Sequence, residues 1–115
     1  MPHRGWQLRI ADIIEAIESI LSYSADMTFE QFASDRKTID AIVLNFIIIG
    51  EAASHLPDNF IELHPDLPWR EMRDMRNIAV HEYFGVDKMI VWETLKNNLP
   101  PLLPLLKDLI NASNS

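Results

Sequence analysis

The amino-acid sequence predicts an all-α protein: an up-and-down bundle of four main helices with short accessory helices. Apolar residues recur at three- and four-residue steps over several long segments, which is the spacing of a helix face that packs against a core. No segment alternates apolar and polar residues as a half-buried strand would, and the 115-residue chain has only three glycines. This length, with 48% apolar residues, suits one hydrophobic core. We expect a single domain over residues 1–112, followed by a disordered tail over residues 113–115.

The first main helix is predicted over residues 6–21. Acidic residues lie between the apolar ones, on the opposite side of the helix. The apolar face comprises Trp6, Ile10, Ile13, Ile14, Ile17, Ile20 and Leu21. After a break, Thr28 and Gln31 have the spacing of a capping box, in which each side chain bonds the backbone of the other residue. This pair predicts a short accessory helix that starts just after Thr28.

A long helix is predicted to follow Ser34 or Asp35, since either side chain can cap the free N–H groups of a first turn. We expect this helix to run to about Leu56. Its middle, residues 41–49, is apolar on nearly every side. A helix of that kind needs neighbours on more than one face, and a second copy of the chain would meet part of that need.

Prolines and a glycine divide the second half of the chain. Residues 56–68 form a connector that contains three prolines and has room for one helical turn. Pro68 suits the start of the next main helix, which begins at Trp69. Gly85 suits the end of this helix or of the turn after it, because glycine adopts the left-handed conformation that often terminates a helix.

A further helical segment is predicted to begin after Asp87, which can cap its first turn. Prolines then follow at positions 100, 101 and 104. Because a proline inside a helix costs about 3 kcal/mol, we expect a break or kink near Leu99. A final helix over residues 102–110 would close the bundle.

Composition limits the classes of function. The net charge is −7, with 4 basic and 11 acidic residues over 1–66 and 6 of each over 67–115. An acidic chain of this kind argues against broad electrostatic binding of nucleic acid. The N-terminus has no apolar signal segment, and the longest apolar run, residues 41–50, is well short of the roughly 20 residues that cross a bilayer. We therefore expect a cytoplasmic protein that makes no membrane contact.

Metal and cofactor chemistry have little support in the sequence. There are no cysteines, so disulfides and thiolate sites are excluded. None of the four histidines is followed by another at the four-residue spacing that places two ligands on one helix face. The sequence also lacks an HExxH motif, a Gly-rich phosphate loop and a GxSxG turn. We expect neither a metal nor a cofactor.

Residues 76–83, RNIAVHEY, carry four polar side chains on the helix that begins at Trp69. Asn77 and His81 are four residues apart and lie on one face. Arg76 and Tyr83 are seven residues apart and lie nearly on one line. Arg76 and His81, however, are about 140° apart around a straight helix. Either a distorted helix end or a second chain is needed to bring both to one phosphate.

These residue types suit RNA cleavage. Arginine grips phosphate and stabilises the charge that develops on it, and histidine transfers protons near neutral pH. RNA carries its own nucleophile, the 2′-hydroxyl, so one base and one acid are sufficient and no metal is required. One histidine cannot easily serve as both at once, whereas two chains related by a two-fold axis would bring two histidines to one cleft. The pattern therefore favours a dimer if the protein is a nuclease.

Arg70 and Arg73 precede Arg76 at three-residue steps, so the three side chains are neighbours on the helix surface. Arg70 and Arg73 are therefore candidates for further phosphate or RNA contacts. They suit an ordinary solvated face equally well, with Glu71 and Asp74 as local ion-pair partners.

The segment MRNIAVHEYFGVD, preceded by PWREMRD, resembles the HEPN superfamily and, within it, the HepT-like toxin family. The family signature is an arginine, usually followed by a polar residue, then a histidine four to six positions on and a tyrosine two residues after it. Arg76, Asn77, His81 and Tyr83 match this signature without a gap. The stretches IGEAASHLP and FGVDKMIVWETLKNNLPPLL also resemble the family, so the resemblance covers nearly the whole chain.

The resemblance implies a HEPN-like, all-α homodimer in which the motifs of both chains meet in one cleft, and a metal-independent endoribonuclease that acts as a toxin. It implies that Arg76 and His81 are catalytic and that Asn77 supports them. HepT-like toxins are encoded beside a minimal nucleotidyltransferase antitoxin, MntA, which neutralises them by transferring AMP to the motif tyrosine, here Tyr83. The added bulk and negative charge would block RNA at the cleft. Glu51 would reach the same cleft, although a buried or capping acid explains it about as well.

A second hypothesis is a non-catalytic subunit that binds a nucleotide or a protein partner within a nucleotidyltransferase complex. The acidic net charge favours this hypothesis a little. The intact pair of Arg76 and His81 favours the ribonuclease. RNA turnover, or nucleotide binding without it, distinguishes the two.

Overall fold

The computed structural model describes residues 5–83, 85 and 87–113 of the chain. In these residues there are seven α-helices, one π-helical segment and no strand, which confirms the prediction of an all-α helical bundle. The elements are α1 (Trp6–Ser24), α2 (Phe29–Ala33), α3 (Arg36–Ser54), α4 (Asp58–Leu63), α5 (Trp69–Tyr83), α6 (Lys88–Glu93), the π-helical segment (Thr94–Asn98) and α7 (Leu102–Ser113).

The core is organised around α3. This helix makes its most extensive contacts with α5 and with α1, so its apolar middle has neighbours on more than one face, as predicted. The largest fully buried side chains are Phe32, Phe46, Ile10, Ile13, Ile17, Ile20, Ile39, Ile42, Ile49, Met72, Leu95 and Leu99. Each large apolar side chain that is fully buried contributes roughly 1.5–3 kcal/mol relative to the same side chain in water. The isoleucines of α1 in this set all belong to its predicted apolar face.

The N-terminal caps of α2 and α3 are the predicted ones. Thr28 and Gln31 form the reciprocal capping box of α2. Asp35 caps α3 by accepting from the Thr38 backbone N–H at 3.1 Å and from the Thr38 hydroxyl at 2.8 Å. These two hydrogen bonds favour the ionised carboxylate and lower the pKa of Asp35 below its usual range. The helix ends at Ser54, two residues before the predicted end at Leu56.

Both ends of α5 follow the proline and glycine signals. The helix begins at Trp69, and the Pro68 carbonyl accepts from the Met72 N–H at 3.0 Å in its first turn. Gly85 has a φ of +75°, the left-handed conformation that glycine adopts without strain. Its N–H donates to the Glu82 carbonyl at 2.8 Å and so satisfies an acceptor at the end of the helix.

The predicted break near Leu99 is present, and it is preceded by π-helical winding that the sequence did not predict. The Leu99 N–H donates to the Thr94 carbonyl, five residues back, at 3.1 Å. The next two residues, Pro100 and Pro101, have no N–H to continue the helix. The chain resumes helical geometry only at Leu102. The proline pair therefore separates the π-helical segment from α7.

The described part of the chain ends with helix α7. α7 includes Ser113, and residues 114–115 lie outside the described part of the chain, so the domain limits 1–112 and the tail 113–115 stay predictions. Within the described ranges, none of the helices combines the length and hydropathy that crossing a bilayer requires.

Candidate active site

The candidate site lies where α3 and α5 cross at Gly50. A Cβ atom placed on Gly50 would overlap the Arg76 Cγ, and it would also lie 3.1 Å from the Arg76 backbone N and 3.2 Å from the Arg73 carbonyl oxygen. The absence of a side chain at Gly50 is therefore what lets α5 approach α3 this closely. It also leaves the space through which the stem of Arg76 passes.

Arg76 forms an ion pair with Glu51, the residue that follows Gly50. The Arg76 Nη1 donates to the Glu51 Oε1 at 2.5 Å, in a hydrogen bond strengthened by both charges. The two side chains are 45% and 50% exposed, so the pair lies at the surface and Glu51 is not a buried acid. The other carboxylate oxygen of Glu51 lies 3.9 Å from the Nδ1 of His55. Glu51 therefore reaches the motif arginine directly.

Asn77 and His81 lie one turn apart on α5. The Asn77 amide donates to the Asp74 carboxylate at 2.6 Å, towards the start of the helix. His81 is exposed, and none of the described residues forms a hydrogen bond with its ring. In this chain Asn77 is therefore oriented by Asp74, and His81 is left accessible to solvent.

Helix α5 is regular between Arg76 and His81. All residues from Trp69 to Tyr83 are α-helical, with no π-helical or 3₁₀ turn among them. Five residues of regular helix rotate a side chain by about 140° and advance it by about 7.5 Å. A distortion of the helix end that would bring Arg76 and His81 of one chain together is therefore not present.

Tyr83 is the last residue of α5 and is 70% exposed. It borders a shallow groove that is also lined by Val43, Leu44 and Ile47 of α3. The antiparallel crossing of the two helices thus places Arg76 beside the C-terminal half of α3 and Tyr83 beside its N-terminal half.

Several large apolar side chains on this side of the molecule remain exposed. We call Leu44, Ile48, Val80 and Tyr83 the α3–α5 face; Leu44 is 57% exposed and Val80 is 49% exposed. The two residues of α3 are one turn apart, as are the two of α5, so each pair lies along one side of its helix. Glu51 and Arg76 continue the same two sides beyond Ile48 and Val80. The ion pair and the apolar residues therefore form one continuous surface.

The other two arginines of α5 have different surroundings. Arg73 is partly buried, and its Nε donates to the Ala53 carbonyl at 3.2 Å. This carbonyl is in the last turn of α3, where acceptors lack partners within the helix. Arg70 is exposed in the first turn of α5. Arg73 thus has a structural contact of its own, and an RNA contact by either arginine stays a prediction.

Glu82 is a residue that the sequence analysis missed. Its side chain is fully buried, the nearest cation is the Arg36 Nη1 at 3.9 Å, and neither carboxylate oxygen accepts a hydrogen bond from the described residues. A signal for this burial was present in the spacing, because Glu82 continues the buried series Met72, Met75 and Ala79 at three- and four-residue steps. His81 and Tyr83 therefore flank a buried carboxylate.

Metal ligands do not cluster in the part of the chain that the structure describes. No group of three His, Asp or Glu side chains there is arranged to hold a metal ion. The polar side chains of the candidate site are instead an arginine, a glutamate, an asparagine, a histidine and a tyrosine, which can bind anions, transfer protons or accept a covalent group.

Comparison with known proteins identifies the family of the chain. Residues 13–109 match the family described as Ribonuclease HepT-like. The chain is 45% identical over 93 residues to "Probable ribonuclease HepT" of Thermococcus cleftensis, which covers 81% of this chain and 84% of the relative. It is 34% identical over 110 residues to a "Putative RNase" of Methanocaldococcus jannaschii, covering 96% of this chain and 91% of the relative. It is 37% identical over 98 residues to a "Putative RNase" of Caldanaerobacter subterraneus, covering 85% and 88%.

The fold and the site thus define an all-α protein in which the side chains of an R-x4-H-x-Y motif are exposed on a helix that packs against the core. The chain belongs to the HepT-like ribonuclease family, as the resemblance of its motif implied. A search of the solved structures found no match to the chain.

Proposed function

We propose that this protein is the toxin of a toxin–antitoxin system, a metal-independent endoribonuclease that works as a homodimer. One observation carries the proposal. Arg76 and His81 are both exposed on helix α5, and the chain belongs to a ribonuclease family. Arg76 binds the scissile phosphate, His81 transfers the proton, and Asn77 supports them. These groups supply a cation and a proton carrier, which are what cleavage at a 2′-hydroxyl requires.

The regular geometry of α5 supports a site shared by two copies. Arg76 and His81 of one chain point about 140° apart, so a single chain does not direct both at one phosphate. The α3–α5 face offers exposed apolar side chains next to the motif, with Leu44 57% exposed and Val80 49% exposed. A two-fold interface is formed by the same surface on both subunits. Pairing through this face would bury its apolar residues and bring two motifs into one cleft.

In the proposed cleft the two histidines divide the acid and base roles. One His81 takes the proton of the RNA 2′-hydroxyl, and the 2′-oxygen attacks the adjacent phosphorus. The bond from phosphorus to the 5′-oxygen breaks, which leaves a 2′,3′-cyclic phosphate on one product. The second His81 donates the proton that the departing 5′-oxygen requires. Arg76 stabilises the additional negative charge on the phosphate while these bonds change.

Cleavage of a fluorescent single-stranded RNA of mixed sequence, by the purified chain in the presence of a chelator, tests this reaction. Arg76→Ala and His81→Ala are each expected to lower the rate by about 10²- to 10⁴-fold. Lys107→Ala is the matched control, because it removes a positive charge from a half-exposed ion pair, with Glu18, that joins α7 to α1. Lack of chelator-resistant cleavage, or undiminished cleavage by both motif variants, would contradict the proposal.

The oligomeric state gives an independent test of the shared site. Leu44→Glu places a charge in the middle of the α3–α5 face, and we expect a monomer with little cleavage activity in sedimentation and RNA assays. Leu63→Glu is the control, because Leu63 on α4 is also strongly exposed, at 74%, but lies outside this face. A Leu44→Glu chain that remains a fully active dimer would exclude the α3–α5 face as the interface.

We further propose that a nucleotidyltransferase antitoxin of the MntA type neutralises the protein by transferring AMP to Tyr83. The 70% exposure of Tyr83 supports this, since a modifying enzyme needs access to the phenol oxygen. The phenol oxygen attacks the α-phosphate of ATP, its proton is released, and pyrophosphate leaves. The transferred AMP brings a negative phosphate next to the groove where Tyr83 meets α3, where it would repel and block RNA.

The mass of the chain after co-expression with the neighbouring nucleotidyltransferase tests the modification. We expect the mass to increase by one or more AMP units, with the modified peptide containing Tyr83. Tyr83→Phe should prevent the increase. Tyr23→Phe should leave the mass increase unchanged. Tyr23 is the other tyrosine of the chain and a suitable control, because it is also exposed, at 47%, but lies on α1, away from the motif. The same mass increase in the Tyr83→Phe chain would refute Tyr83 as the acceptor.

The second candidate function is a non-catalytic subunit that binds a nucleotide or a partner. The ion pair between Arg76 and Glu51 favours it to some extent, because the arginine charge is already compensated within the chain. Calorimetric binding of a nucleotide by the wild-type chain, together with no turnover of RNA, would support this function over the ribonuclease.

A further inference from the structure

Arg76 is held at two points along its side chain. Its stem lies over Gly50, where even a methyl group would overlap the Cγ. Its Nη1 is bound by Glu51 at 2.5 Å. The remaining N–H groups, on Nε and Nη2, form no hydrogen bond with any described residue. One edge of the planar guanidinium is therefore fixed by the chain itself, and the other edge is available to a ligand.

Among the described residues, Arg76 and His55 are the basic side chains within 4 Å of the Glu51 carboxylate. His55 lies closest after Arg76, but its Nδ1 is 2.7 Å from the Glu51 backbone carbonyl and 3.9 Å from the carboxylate. Arg73 is engaged by the Ala53 carbonyl. Arg76 is thus the principal partner of the Glu51 carboxylate within the described part of the chain.

We propose that Glu51 is a positioning residue of the ribonuclease site, which turns the Nε–Nη2 edge of Arg76 towards the scissile phosphate. This inference rests on the proposed function. A free arginine side chain loses considerable rotamer freedom when it orders around a phosphate. An arginine that is already held by Glu51 and Gly50 avoids this loss when the transition state forms. Glu51 therefore acts on the rate of the chemical step and has little effect on RNA binding.

Another role for Glu51 would be competition with RNA, in which its carboxylate occupies Arg76 until a phosphate displaces it. The exposure of the pair limits that effect. An ion pair between half-exposed side chains changes an equilibrium constant by no more than about five-fold. Such a competitor would weaken RNA binding by at most that factor, and removing it would tighten binding. When Glu51 is removed, positioning thus predicts a lower kcat, whereas competition predicts a lower KM.

The experiment measures kcat and KM for a fluorogenic single-stranded RNA with wild-type, Glu51→Ala and Glu51→Gln chains. Glutamine keeps an oxygen that can accept the Arg76 N–H, so it is the conservative replacement. We expect Glu51→Ala to lower kcat by about three- to five-fold, the limit that a half-exposed ion pair sets, with KM changed by less than about 1.5-fold. Glu51→Gln should restore most of that kcat. A decrease in KM with kcat retained, in both variants, would overturn the inference in favour of competition.

Glu18→Ala is the matched control. Glu18 is 52% exposed and pairs with Lys107 at 3.1 Å, on helices that carry none of the motif residues. Its replacement should leave both kinetic constants unchanged. If Glu51→Ala also leaves both kinetic constants unchanged and lowers only the melting temperature, Glu51 has a structural role alone and the inference is overturned.

A second readout does not depend on activity. The ¹⁵N relaxation of the Arg76 Nε–H group reports how tightly the guanidinium is held, and we expect it to become markedly more mobile in Glu51→Ala than in wild type or Glu51→Gln. Equal mobility in all three chains would overturn the inference. If the wild-type chain does not cut RNA, the proposed function fails, while the relaxation data still decide whether Glu51 positions Arg76.

Discussion

Gly50→Ala is the substitution that tests the site geometry most directly. Two effects on the free energy of unfolding oppose each other. Alanine in a helix interior is favoured over glycine by about 1 kcal/mol. The added methyl, however, overlaps the Arg76 Cγ and meets two backbone atoms of α5 at 3.1 and 3.2 Å, and overpacking of this kind costs typically 1–3 kcal/mol. We expect a net loss of about 1 kcal/mol, or a decrease in Tm of about 4 °C for a domain of this size.

The same methyl should have a far larger effect on the proposed activity. The overlapping atom is in the stem of Arg76, so relief of the clash moves the guanidinium away from Glu51. A displacement of about 1 Å in a catalytic group can lower a rate on the order of 10²-fold. The expected result is thus a small loss of stability together with a large loss of RNA cleavage, measured by thermal unfolding and by the fluorescent RNA assay.

Two comparisons sharpen this test. Gly5→Ala makes the same chemical change at the N-cap of α1, where the new methyl meets only the end of the flexible Gln7 side chain, so activity should be nearly unchanged and the loss of stability should be the cap preference alone, about 1 kcal/mol or less. In an Arg76→Ala background, Gly50→Ala should be less destabilising, because the overlapping Cγ is absent and only the backbone contacts remain. The reasoning is wrong if Gly50→Ala is about 1 kcal/mol more stable than wild type and cleaves RNA at the wild-type rate, since helix propensity alone would then account for it.

Two further predictions concern stability. Hydrogen bonds from the Thr38 backbone and hydroxyl lower the pKa of Asp35 in the folded state, so this cap stabilises the fold above its unfolded-state pKa of about 3.9 and the contribution is lost as the pH falls through the lower folded pKa. The difference in Tm between wild type and Asp35→Asn should therefore shrink below pH 4, and a constant difference from pH 2 to 7 would exclude this linkage. Glu82→Gln should raise the unfolding free energy by about 1 kcal/mol, because a neutral amide is less costly to bury than a carboxylate that accepts no hydrogen bond from the described residues. Arg36→Ala should lower it by a similar amount, and a strongly destabilised Glu82→Gln chain would show that the carboxylate is well bound.

The features that the sequence predicted well depend on neighbouring residues. The caps at Thr28 and Asp35 are formed by side chains that bond the backbone three residues on. The end of α5 at Gly85 depends on one backbone conformation that glycine adopts freely. The break after Leu99 follows from two prolines that lack an N–H. In each case the physical cause lies within one turn of the chain, so the local sequence contains it.

The features that the sequence did not predict depend on how helices approach each other. Glu51 was an expected neighbour of the cleft, but its direct hydrogen bond with Arg76, 25 residues away, was not predicted, because it depends on Gly50 letting α5 lie close to α3. Glu82 lies at a buried position of the three- and four-residue pattern of α5, but a charged side chain is normally expected at the surface. The hydrogen bond from Asn77 to Asp74 is different, because it links residues three apart on one helix and could have been predicted from their spacing.

The distribution of charge explains how an acidic chain can belong to a ribonuclease family. Of the arginines on α5, Arg73 is engaged by the end of α3, and Arg76 is compensated by Glu51. One copy therefore offers few uncompensated positive charges to RNA, in keeping with a net charge of −7. In the proposed dimer, two copies of Arg76 and His81 would share one cleft between the chains, beside an apolar interface, where excluded water strengthens each charge. RNA affinity would then depend on a few close contacts in a narrow cleft, and the acidic surface elsewhere would reject RNA that does not enter it.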